Sequence, residues 1–130
     1  MQKELIEKNP ILKHSVDFSL AVINYCETLD VAKKYIISKQ LFRSATSIGA
    51  NAMEAQNAES RADFIHKIKI SAKEADETQY WLTLCTYAKD YPNCNELSQK
   101  LIEIQRLLNS ILNTSKKKNP ISYFLSFLIF

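Results

Sequence analysis

A chain of 130 residues has room for one domain with a real core, and 46% apolar against 24% charged residues is an ordinary balance for a globular protein. One glycine and three prolines leave too few tight-turn signals for an all-β chain. A net charge of +3 permits an acidic partner without identifying one.

The three cysteines, Cys26, Cys85 and Cys94, are odd in number and form no CxxC. That argues against a disulfide framework or a zinc site and points to the reducing cytoplasm. The opening MQKELIEKNP is too polar for a secretory signal. Residues 1–9 read as a mobile or weakly helical lead-in.

Asn9 followed by Pro10 marks a helix start, with a capping side chain ahead of a proline in the first turn. The first long helix is predicted over Pro10 to Leu29. Leu12, Val16, Ser19, Ile23 and Cys26 give its stripe, widened by Phe18, Val22, Tyr25 and Leu29. After a short connection, a second helix is predicted from about Lys34 to Asn57. Tyr35, Ile36 and Ile37 resemble a strand, but the helical period continues through Leu41, Phe42 and Ala45. Here Leu41, Ala45, Ile48, Ala52 and Ala55 form an apolar face. Arg43, Ser47, Asn51 and Glu54 recur on the opposite side. That side carries Ser, Thr, Asn and Gly49, residues that do not favour helix but allow a neighbour to come close. Tight packing inside one bundle and burial at a subunit or ligand contact both explain it.

Ser60 with Asp63 fits a capping-box start for a third helix. Its core face is Phe64, Ile68, Ser71, Ala75, Thr78 and Leu82. A flank holds His66, Ile70, Glu74, Glu77 and Trp81, where the tryptophan beside two carboxylates suits either an interface or a core margin. Tyr91 and Pro92 close this helix, and Asn93 with Glu96 can cap a fourth. There Leu97, Leu101, Ile104, Leu108 and Ile111 alternate steps of four and three, the clearest seam in the chain. Four such helices over residues 10–118 predict an all-α, antiparallel up-and-down four-helix bundle.

Residues 119–130 differ. After Asn119 and Pro120 come ten residues without charge, ISYFLSFLIF. They are too short to span a bilayer, which takes about 20 apolar residues. Docking in a groove of the bundle, joining a neighbouring subunit, or dipping into a membrane surface beside Lys116, Lys117 and Lys118 are the alternatives.

Little in the sequence points to catalysis. The only histidines are His14 and His66, and the fragments Asp63-x-x-His66 and Glu74-x-x-Glu77 lack the matching halves of a di-metal carboxylate site. A phosphate-cradling loop cannot be built from one glycine inside a helix. The expectation is a non-enzyme without metal or cofactor. Lys33, Lys34, Lys39 and Arg43 occur with no acid between Val31 and Met53, which offers an edge for phosphate contacts with Tyr35 nearby for stacking.

The run SKQLFRSATSIGAN over 38–51, then EAQNAES over 54–60, DFIHK over 63–67 and KEADETQYWL over 73–82, resembles a bacterial four-helix-bundle family. The family is named for proteins encoded in intervening sequences of 23S ribosomal RNA genes, and the likeness covers about Asn9 to Lys118. It implies a small cytoplasmic bundle that assembles as a ring-like homopentamer. It also implies kinship with the accessory variability protein of diversity-generating retroelements, a basic pentameric barrel that works with a reverse transcriptase and binds nucleic acid. This chain is only mildly basic, and its tail lies outside the matching part. The expectation is an oligomeric accessory or scaffold protein that binds RNA or DNA, with a protein partner as a further component. The alternative is an interaction module without nucleic acid. Arg43, Ser47, Asn51, Glu54, Lys67, Glu74, Glu77 and Trp81 are the candidate contacts between the second and third long helices or between subunits.

Overall fold

A computed structural model describes residues 2–115; the predictions for Lys116, Lys117, Lys118 and for residues 119–130 lie outside the described residues. Among the described residues the protein is all-α. The helices are α1 (Gln2–Lys8), α2 (Pro10–Val31), α3 (Tyr35–Ala55), α4 (Arg61–Tyr87) and α5 (Asn95–Ser115). The helices α2, α3, α4 and α5 are the four predicted ones. The lead-in adds a helix of its own, α1, which packs on α2 through Ile6.

Neighbour packing runs α2 on α3, α3 on α4, α4 on α5 and α5 back on α2, which encloses a core between them. Hydrogen bonds tie α2 to α3 and α4 to α5. Asn9, ahead of α2, donates to Gln56, just past the end of α3, at 3.2 Å, and Cys26 and Ser38 exchange side-chain bonds to each other's carbonyls at the opposite end. Gln105 of α5 reaches Gln79 of α4 at 3.2 Å, and Arg61 at the start of α4 donates to the Ser115 carbonyl at the end of α5.

The stripes of α3, α4 and α5 are buried as their periods predict. In α2 the buried set is Ile11, Leu12, Ser15, Phe18, Val22, Tyr25, Cys26 and Leu29. Val16, Ser19 and Ile23 are only half-buried, so the true stripe is rotated from the one read in the sequence. The cause is that α2 carries apolar residues on more than one side, which blurs its period.

Helix ends follow local chemistry. Ser60 accepts from the Asp63 N–H at 3.0 Å, and Asp63 accepts from the Glu59 N–H at 3.2 Å, one residue before the cap. Asn9 makes no cap bond; its side chain is directed to Gln56 instead. Asn93 accepts from the Asn95 N–H at 2.8 Å, the asparagine half of the predicted cap. α4 stops at Tyr87, ahead of the predicted Tyr91–Pro92 stop, because Ala88 is already extended and Asp90 is left-handed. The Tyr25 hydroxyl then anchors the loop by donating to the Pro92 carbonyl at 2.7 Å.

At the end of α2, Lys34 N–H bonds the Leu29 carbonyl at 2.8 Å and Lys33 N–H bonds that of Asp30 at 2.9 Å. These two bonds form a Schellman motif with Lys33 at φ 62°, a position that favours glycine. Toward the Asn9–Gln56 end of the α2–α3 contact, a Cβ added to Gly49 would lie 3.0 Å from the Ser15 Cβ. A Cβ cannot swing away as a long side chain can, so Ser15 would have to give by a few tenths of an ångström.

Two thermal-melt outcomes follow. Lys33→Gly is expected to raise stability by about 1 kcal/mol, because glycine meets no Cβ penalty at positive φ. Gly49→Ala is expected to lower it by about 1 kcal/mol, overpacking outweighing the better helix propensity of alanine. A fall for the first or a rise for the second contradicts this description of the two sites.

Candidate functional site

The most polar of the described helix contacts lies between α3 and α4. The buried face of α3 is built largely from small side chains, Ser44, Ala45, Ala52 and Ala55, so α4 sits close. Buried hydroxyls then need partners from the facing helix. Ser71 donates to the Ile48 carbonyl at 2.8 Å, and Thr78 donates to the Ser44 hydroxyl at 2.9 Å. These bonds fix how the two helices meet, and with it the side chains along the exposed margin.

On that margin, Arg43 of α3 faces Glu74 and Glu77 of α4. Nη1 donates to Glu74 Oε2 at 2.9 Å, and Nη2 donates to Glu74 Oε1 at 3.4 Å and also to Glu77 Oε2. The Trp81 indole N–H donates to the same Glu77 oxygen at 3.0 Å. Tyr80 stands edge-on to Trp81, with ring centres 5.5 Å apart. Further along, Lys67 pairs with Glu54 at 3.2 Å. The Glu74 side chain is 17% exposed, against 48% for Arg43 and 37% for Glu77, so the cluster is half in water. Hydrogen bonds from Trp81 and then Arg43 hold the Glu77 carboxyl below the usual carboxylate range. Glu74, then Glu77, push the Arg43 guanidinium up.

Six of the eight interface candidates therefore meet across α3 and α4: Arg43, Glu54, Lys67, Glu74, Glu77 and Trp81. The other two turn back on their own helix. Ser47 donates to the Arg43 carbonyl at 2.7 Å and Asn51 to the Ser47 carbonyl at 2.9 Å. Tyr80, outside the eight candidates, joins the cluster through its ring beside Trp81.

The four nucleic-acid candidates do not form one acid-free edge. Lys33 sits in the α2–α3 turn, and the Lys34 ammonium lies 4.9 Å from the centre of the Tyr91 ring. Lys39 shares a groove with Glu27 and Asp30, and Arg43 is held by its two glutamates. The acids come from α2 and α4, which a reading of 31–53 alone does not include.

Among the described residues no group of three or more His, Cys, Asp and Glu could hold a metal ion. All three thiols are free and buried. Burial pushes the Cys26 and Cys85 thiols up, opposite to the shift that activates a nucleophile. No described helix is long and apolar enough to cross a membrane.

The sequence profile of the 23S rRNA-intervening sequence proteins matches residues 7–110, which takes in the whole α3–α4 contact. The chain belongs to that family. A solved relative is a protein of unknown function from the S23 ribosomal protein family of Bacteroides thetaiotaomicron, 40% identical with a TM-score of 0.76. The likeness covers 80% of this chain and 99% of the relative. No curated protein matches the chain.

The ionised Glu77 gives a signed expectation. Its carboxyl is held low in the folded chain, so its contribution to stability is present above the unfolded pKa and is lost as pH falls through the folded one. Glu77→Gln should melt below the parent chain at pH 7, and the gap should shrink at an acid pH below the usual carboxylate range. Melting curves at the two pH values check this; a gap that persists in acid contradicts it.

Proposed function

We propose that this protein is a non-enzymatic accessory or scaffold protein of the cytoplasm that works by association. In this reading the four long helices are an antiparallel up-and-down bundle, which the closed order of helix packing supports. The bundle assembles with copies of itself, as a pentamer on the strength of the family resemblance, and presents a surface to a protein partner. The three free, buried thiols agree with a reducing compartment.

One observation carries this reading: the Arg43–Glu74–Glu77–Trp81–Tyr80 margin. Arginine, tryptophan and tyrosine dominate the energetics of protein interfaces. Here each of the three is held by a neighbour before any partner arrives. Fixing such side chains in advance reduces the entropy lost on binding. Half-exposed ion pairs add at most about 1 kcal/mol to folding, so the ordering of the surface is their larger effect.

A second reading, binding of RNA or DNA, is favoured by the charge layout of α4. Its first half carries Arg61, His66, Lys67, Lys69 and Lys73 against Asp63 alone, and Lys69 and Lys73 are exposed. Its second half is acidic. Phosphate contacts made there would weaken steeply with salt.

Light scattering on the purified chain tests both. Arg43→Ala and Trp81→Ala should lower the oligomer mass while leaving the helical circular dichroism unchanged. Unchanged mass and melting temperature in both variants would overturn the association reading. Salt-sensitive binding of mixed RNA, lost in a Lys69→Glu, Lys73→Glu double variant, would instead select the second.

A further inference from the structure

A different surface has no role in the α3–α4 reading and stands independently of it. Between α2 and α3 runs a groove of about 310 Å³. Residues of these two helices alone line it. Val16 and Leu20 form one wall, Met53 and Ala50 the other, and Ser15 and Gly49 meet at the floor. Leu20 is 56% exposed at the rim, where it faces water as a large aliphatic side chain. The floor holds a second anomaly. Ser15 is buried, and its hydroxyl has no hydrogen-bond partner among the described residues. A buried hydroxyl without a partner is costly, and a chain laid in the groove could supply an acceptor.

We propose that residues 121–130, ISYFLSFLIF, of the same chain dock in this groove. Three facts select that occupant. First, it is uncharged and rich in aromatic and aliphatic side chains, matching an apolar groove that contains no charged residue. Second, reach fits. The last described residue, Ser115, accepts from Arg61 at the start of α4, the end of the molecule where Asn9 and Gln56 also meet. The groove opens toward that end, since Leu12 lies in the first turn of α2 and Met53 in the last of α3. Helices α5 and α2 are neighbours, and packed axes lie about 8–10 Å apart. Residues 116–120 can bridge up to about 17 Å. From Leu12 to Leu20 the groove runs about 12 Å along α2, well within what ten residues span. Third, the tail lies beyond the family profile, which ends at residue 110, so an added segment meets a groove already present on the shared fold.

The test uses a reporter already in place. The chain has two methionines, and Met53 is one wall of the groove. Methyl NMR on the full chain, labelled at the methionine methyl, should show nuclear Overhauser contacts from Met53 to tail aromatic protons. Replacing Phe124 and Phe127 by leucine should move the Met53 methyl signal by about 0.1 ppm or more. Leu20→Glu, on the exposed rim and outside the core, should abolish the contacts and leave circular dichroism unchanged. Contacts found only between differently labelled copies would overturn docking within one chain in favour of exchange between subunits. An absence of tail contacts, with Met53 insensitive to both tail and rim changes, would overturn docking altogether. Neither outcome depends on whether Trp81 or Arg43 supports association.

Discussion

The close approach of α3 to its two neighbours is the constraint that the rest of the structure depends on. On one side Gly49 lets Ser15 of α2 come so near that an added Cβ would lie 3.0 Å from the Ser15 Cβ. On the other, Ser44 and the alanines of α3 let α4 come close enough for Thr78 and Ser71 to reach α3 atoms directly. Small residues leave little side-chain area to bury, so these contacts rely on hydrogen bonds and on the large residues above and below, such as Leu41, Ile48, Phe64 and Ile68. A helix held this closely on two sides has little freedom to slide. Arg43, Glu74, Glu77 and Trp81 can therefore form a defined cluster in spite of being half in water.

Sequence periodicity made most of the fold legible. The α5 seam alternates cleanly, and every residue named for it is buried. Even in α4, with two serine or threonine positions in its core face, the period alone places Ser71 and Thr78 inside. It worked less well in α2, where Val16, Leu20 and Ile23 are as apolar as the core positions while buried Ser15 is polar. Hydrophobicity then points the stripe to the wrong side by part of a turn. Asn9 and Pro10 do mark the start of α2, but the Asn9 side chain satisfies a tertiary partner, Gln56, 47 positions away, in preference to capping its own helix.

Half of the site was readable. The residues came from matched motifs and helical spacing, and six of them do converge. Their pairing was not readable, because Arg43 finds its carboxylates 31 and 34 positions later, across a helix contact. The same distance hides the acids beside Lys39 and Arg43. A basic run in sequence looks like a phosphate surface until Glu27, Asp30, Glu74 and Glu77 are folded against it. These acids interrupt a phosphate track along α3, and for that reason the association we propose uses the Arg–Trp–Tyr margin instead.

Native mass spectrometry of the full chain over a dilution series tests that account most directly. Association through a preordered surface predicts one closed homo-oligomer of defined copy number that persists on dilution to low micromolar protein. A chain that remains a monomer throughout the series would contradict it.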